Sequence, residues 1–96
     1  MIPGFEWDDA KAATNKRKHG VTFREATTVF SDAVAVIFDD SDHSEHECRE
    51  IIIGFSERFR LLVVSFTQRG DNVRIISARK ATRREQERYE ENTGHE

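Results

Sequence analysis

Apolar and polar positions change their spacing twice along this chain. Between residues 9 and 31 apolar positions are sparse and helically spaced, with Phe23, Ala26 and Phe30 at intervals of four or fewer and Val29 beside them. From residue 34 to residue 78 they gather into short β-branched runs at 34–38, 51–53, 61–67 and 73–78. Beyond residue 82 they nearly vanish, and Tyr89 is the only large apolar side chain left.

The first regime predicts two helices. Asp8 is a good N-cap, with Trp7 placed as the outer half of a hydrophobic staple against Ala12. Lys16, Arg17, Lys18 and His19 suit the negative end of the macrodipole, and Gly20 fits the left-handed position after it. A helix over about 9–19 follows. Thr22 and Glu25 then form a capping box behind Val21, so a second helix spans about 23–31 and makes an αα-hairpin with the first. The second regime predicts four strands with short links, hence an antiparallel meander. An acidic polar loop over 39–47 separates the first two strands. With both helices on one face, the class is α+β. Thr82 and Glu85 form a third capping box, opening a helix over about 83–92. That helix is too polar to be bound by burial, and either lies along the sheet on Tyr89 or awaits a partner. Residues 93–96 are expected to fray.

Ninety-six residues allow one domain, spanning 1–96. The apolar share of 36% and mean hydropathy of −0.70 imply a small core. No apolar run is long enough for a membrane span or signal peptide, and the lone Cys48 allows no internal disulfide, so a cytoplasmic protein is expected. Net charge is −3, yet its distribution matters more: residues 24–60 sum to −5 and residues 61–89 to +4. A basic surface on an acidic protein is therefore available to nucleic acid.

Arg79, Lys80, Arg83 and Arg84 concentrate positive charge where the last strand hands over to the last helix. Hairpin pairing separates these from a second group. If the second and third strands turn around Glu57 and Arg58, Arg49 lies opposite Ser65 or Phe66. If the third and fourth turn around Gly70, Phe66 lies opposite Arg74 or Ile75, and Arg79 opposite Leu61. Arg49, Arg69 and Arg74 then gather at one end, with Glu47 near Gln68. Arg79, Lys80 and Arg83 sit on the order of 15–20 Å away along the sheet. Strict alternation also puts Arg74 and Arg79 on opposite faces. Such a layout suits a track of phosphate contacts better than one pocket, and arginine forks suit phosphate. Arg49, Arg69 and Arg79 serve equally well in surface salt bridges. His19 is either a helix-end cation or a general acid/base, and Glu47 either one more loop acid or a general base. His43, His46 and Cys48 suggest zinc but lack an obvious fourth ligand, so no metal site is assigned. No Walker motif, dinucleotide glycine pattern or serine elbow is present.

Several stretches, taken in order, resemble the BrnT toxin family. They are Phe5 to Asp8, Asn15 with Lys18 to Val21, Phe23, Glu47 and Arg49 with Ile53 and Gly54, Thr67 with Arg69, and Arg74 to Arg79. The resemblance runs from residue 5 to about residue 89, and its specific parts are the Lys18-His19-Gly20 and 74–79 blocks. It implies a RelE-like fold and a ribonuclease that halts translation by cleaving RNA without metal or other cofactor. It further implies a BrnA-like antitoxin with a ribbon-helix-helix domain, through which promoter DNA would be bound. On that resemblance Lys18, His19, Glu47, Arg49, Arg69 and Arg79 are candidate catalytic residues. Arg74, Lys80 and Arg83 are candidate RNA contacts, and Tyr89 a candidate partner contact. The residues read alone leave open a non-catalytic nucleic-acid-binding module or a protein-interaction domain.

Overall fold

Local chemistry sets the helix ends. In the computed structural model of the protein, which describes residues 2–40 and 48–93, helix α1 runs Asp9–His19. The Asp8 carboxylate accepts the Lys11 N–H at 3.0 Å, and Gly20, at φ 71°, donates its N–H to the Lys16 carbonyl at 2.8 Å. A left-handed residue there terminates the helix, and glycine takes that conformation without a Cβ penalty. Helix α2 covers Phe23–Thr28 and tightens into a single 3₁₀ turn over Val29–Ser31. Thr22 caps it through the Glu25 N–H at 3.0 Å. The return arm of the expected capping box is absent. Glu25 is buried and turns instead to the sheet, accepting from Arg60 and, at 2.7 Å, from Ser56.

The sheet holds five strands: β1 (Phe5–Glu6), β2 (Val36–Asp39), β3 (Arg49–Phe55), β4 (Leu61–Arg69) and β5 (Asn72–Lys80). Their order is β1-β5-β4-β3-β2, and the four expected strands form the antiparallel meander. The addition is β1, parallel to β5 through Phe5 opposite Val73 and Glu6 opposite Arg74. Two residues are too few to show an alternation, so only their distant partner makes them a strand. The sheet is consequently mixed.

Alternation divides the core. One face carries Ile52, Leu62, Val64, Phe66, Ile75 and Ala78, packed under α1 and α2 on Val21, Phe23, Ala26 and Val29. Phe5, Phe30 and Phe66 meet edge to face at 5.3 and 5.0 Å, closing that layer near β1. The other face carries Ile53 and Val63 with Val36, Phe38, Ile51 and Leu61, and helix α3 (Arg83–Thr93) lies on it through Tyr89.

Contrary to the expectation that α3 hangs on one tyrosine ring, several ties hold it. The buried Tyr89 ring meets Phe55 edge to face at 5.4 Å, and its hydroxyl donates to Asp32 at 2.7 Å. The Arg88 guanidinium sits 3.9 Å over the Phe38 ring, Asn92 donates to the Val34 carbonyl at 3.3 Å, and Glu85 pairs with Arg79. Asp32 also accepts the Phe55 and Val34 N–H groups at 2.9 and 3.1 Å. Burial opposes charge on Asp32, but these hydrogen bonds outweigh it and hold the carboxyl below its ordinary range. Among the described residues no helix is long and apolar enough to cross a membrane.

Candidate active site

Strand register decides which arginines can act together, and it differs from the simple count in two places. The β3–β4 loop spans three residues, closed by the Ser56 N–H to Arg60 carbonyl bond at 2.9 Å with Phe59 left-handed at φ 61°. Arg49 therefore pairs with Thr67 rather than with Ser65 or Phe66. On β5, Phe66 faces Ile75 as expected, but Ser65 faces Ser77, leaving Ile76 as an extra, bulged residue. Arg79 consequently lies opposite Val63, not Leu61.

The bulge also resets the alternation. Directly opposed residues share a face, and β4 alternates regularly from Val63 through Ser65 to Thr67. Arg79, Ser77 and Arg74 thus all fall on the face of Val63, Ser65 and Thr67, as do Arg49 and Arg69. This is the α3 face, and the strict count that placed Arg74 and Arg79 on opposite faces is corrected. Arg49, Thr67 and Arg74 form one row, Ile51, Ser65 and Ser77 the next of that face, and Arg79 lies one row further on. Four residues of β4 separate the two arginine rows, about 13 Å at the usual rise.

Each arginine has a different local state. Arg74 donates to Glu6 at 2.9 Å, and Asn72 reaches the same carboxylate at 3.2 Å. Hydrogen bonds from Asn72 and then Arg74 hold the Glu6 carboxyl below its ordinary range. Arg49 is half-buried on β3 and Arg69 is exposed at the tip of β4. Arg79 grips Glu85 with both Nη atoms, each at 2.7 Å, and also donates to the Lys80 carbonyl at 3.3 Å. The two-armed bond from Arg79 drives the Glu85 carboxyl down to about 2, against the opposing effect of burial. Glu85 simultaneously accepts the Thr82 N–H at 2.8 Å, so the capping box at the start of α3 is complete.

The helix candidates approach from the other side. Lys18 and His19, both exposed, line an open groove of about 320 Å³ together with Asn15, Ile76 and Ser77. The end of α1 is thereby brought to the bulge, three residues before Arg79. Lys80 and Arg83 are exposed, and Arg83 has Glu87 at 3.9 Å. Tyr89 is buried, and burial together with its bond to Asp32 pushes its hydroxyl up to about 12. As folded, then, its side chain serves α3 rather than an open surface. Glu47, His43 and His46 lie outside the described residues, and Cys48 is exposed. Among the described residues no cluster of three or more His, Cys, Asp or Glu side chains could hold a metal ion.

Two residues gain a role that sequence reasoning missed. Glu85 was legible only as a cap, although a carboxylate just behind a basic run is a natural partner for it. Asn15 entered only through the family resemblance, and its polar side chain inside a short helix was the available signal.

Comparison with known proteins bears on this geometry. A family model described as the ribonuclease toxin BrnT of type II toxin-antitoxin systems matches residues 7–85. The solved structure of the Brucella abortus ribonuclease toxin BrnT superposes with a TM-score of 0.63 at 26% identity, covering 82% of this chain and 96% of that one. No curated protein matches the sequence. Both matches point to one class of protein, the ribonuclease toxins of type II toxin-antitoxin systems. Within that class, this chain belongs to the BrnT family.

Proposed function

We propose that this chain is a metal-independent endoribonuclease whose active surface is the arginine-bearing face of the sheet, continued over the β5 edge to the end of α1. The observation that carries the reading is the β5 bulge, which puts Arg79 on the face of Arg74 and, through the Arg49–Thr67 pair, of Arg49, around the small side chains of Ser65, Ser77 and Thr67. Cleavage proceeds by attack of a 2′-oxygen on the adjacent phosphorus, with departure of the 5′-oxygen. Guanidinium groups of Arg49, Arg69 and Arg79 meet the charge that builds on the phosphoryl oxygens, usually the largest catalytic contribution. Arg74, Lys80 and Arg83 hold flanking phosphates. Lys18 contacts phosphate, while His19 or Glu47 moves the protons. In the cell this activity acts in the cytoplasm, stops translation and is silenced by a BrnA-like antitoxin. Promoter DNA is then reached only through that antitoxin's ribbon-helix-helix domain.

The test is RNA cleavage by purified protein, with and without chelator, for wild type and Arg79→Ala. Losing one charge-stabilising donor is expected to slow cleavage by about 10²–10³-fold. Chelator should leave the rate unchanged, and an RNA with a 2′-deoxy sugar at the scissile position should resist cleavage. A folded Arg79→Ala protein with full activity would remove Arg79 from the reaction. The occupation of Arg79 by Glu85 favours a second reading, an RNA-binding module without catalysis, which predicts a mobility shift and intact RNA.

A further inference from the structure

We propose that Asn15 is a positioning residue for RNA cleavage: its buried carboxamide fastens the Lys18–His19 end of α1 to the outer edge of β5. The inference rests on the reading above, in which Lys18 and His19 act on RNA.

Asn15 is 6% exposed, and its carboxamide makes three hydrogen bonds. Its Nδ2 donates to the Ala78 carbonyl at 2.8 Å and to the Val21 carbonyl at 2.9 Å, while its Oδ1 accepts the Ala78 N–H at 3.1 Å. Strand β1 pairs with β5 at Val73 and Arg74, and among the described residues the outer edge of β5 beyond them has no strand neighbour. At Ala78 the Asn15 side chain takes both backbone groups, as a residue of another strand would. Ala78 lies between Ser77 of the groove and Arg79 of the sheet face.

Lys18 and His19 follow Asn15 by three and four residues, so they stand one turn along the same side of α1. All three line the groove with Ile76 and Ser77. The bond to Val21 pins the chain just past Gly20, so both sides of the helix end are fixed. Asparagine is a poor choice for a helix interior, where its side chain competes for backbone bonds. Here it bonds outside its own helix. Aspartate has the same shape but no donor, and would set an oxygen against the carbonyls of Ala78 and Val21. Glutamine carries the amide one methylene further. The site therefore asks for asparagine itself.

A merely structural Asn15 would lower stability without coupling to the chemistry, and a double-mutant cycle separates the two cases. The experiment measures kcat, KM and the urea midpoint on an RNA oligonucleotide for wild type, Asn15→Ala, Lys18→Ala, His19→Ala and both doubles with Asn15→Ala. Misplacing the helix end is expected to lower kcat by about 10-fold or more. KM should move less, and the same change should cost under about twofold where His19 or Lys18 is already absent. The fall in urea midpoint should be equal in every background. Equal loss of kcat in all backgrounds, or no loss, would overturn the proposal. If Lys18→Ala and His19→Ala each cleave like wild type, the underlying reading of the site fails, and the proposal with it. Asn15→Asp keeps the shape and the Oδ1 acceptor for the Ala78 N–H while losing both donor bonds, and supports the same cycle should the alanine variant not fold.

Discussion

Replacing Glu85 by glutamine removes one charge from the point where α3, β5 and Arg79 meet. Glutamine keeps the shape and the reach of a capping-box residue, so the change removes the charge and one of the two acceptors for Arg79. The Glu85 carboxyl is held at about 2 against an ordinary 4.5. Such a gap corresponds to at most about 3 kcal/mol of folding stability. The Arg79 side chain is 41% exposed and that of Glu85 24%, so solvent screening reduces this to about 1–2 kcal/mol. At neutral pH the variant should therefore melt about 5–10 °C below wild type.

Sign and pH window follow from the direction of the shift. A carboxyl depressed in the folded state contributes fully above its unfolded value and loses that contribution as pH falls through the folded one. The wild-type advantage over Glu85→Gln should be complete at pH 7, shrink below 4.5 and close near 2. Urea denaturation of both proteins at pH 7 and at about pH 3 tests this, because less than half of the difference should survive at the lower pH. An equal difference at both values would refute the argument. The same substitution also frees the guanidinium fork that a phosphate would occupy. RNA affinity should rise by up to about fivefold for each kcal/mol released. A loss of cleavage instead would mean that Glu85 aims Arg79.

Two further predictions concern the supports of the site. A Cβ at Gly54 would meet Val29 Cγ1 at 3.0 Å and both Ala35 Cβ and Asp32 Oδ2 at 3.1 Å. Gly54→Ala should therefore cost about 1–3 kcal/mol in thermal or urea unfolding, and an unchanged melt would show that the segment over β3 yields freely. Tyr89→Phe removes one of three hydrogen bonds to Asp32, for a loss of about 1.5–2 kcal/mol. Amide exchange across α3 should quicken with it, and unchanged protection would shift the anchoring of α3 to its other ties.

Much of the fold was legible because its signals are local. Asp8, Gly20, Thr22 and Thr82 act within a few residues of themselves, and the helices begin and end where those side chains direct. The four main strands were legible for the same reason, each being long enough to display its pattern. What escaped depends on distant partners. Phe5 and Glu6 form a strand only because β5 offers an open edge to them. Glu25 leaves its capping box because Arg60 and Ser56 approach from the β3–β4 hairpin. The hold on α3 was undervalued because its polar residues find partners far away in sequence, Asp32 for Tyr89 and Phe38 for Arg88.

The candidate site turns on one irregularity that the sequence conceals. Ile75 and Ile76 are both β-branched, and nothing in that pair marks the second as a bulge. Counting by twos assigns Arg74 and Arg79 to opposite faces and splits the basic segment into unrelated halves. One extra residue reverses that assignment, so five positions along β5 return to the same face. It also shortens the distance between the arginine rows, since, counting on from the Phe66–Ile75 pair, Arg79 moves from the level of Leu62 to that of Val63. In the proposed reaction a single RNA strand across Ser65 and Ser77 would then meet arginine on both sides. Were Ile76 paired regularly with Ser65, Arg79 would meet Leu62 on the face under α1 and α2, whereas deleting Ile76 would remove the bulge and leave Arg79 opposite Val63. With Ile76 present, the bulge is thus a condition for the site, whereas the number of cations in the sequence is not.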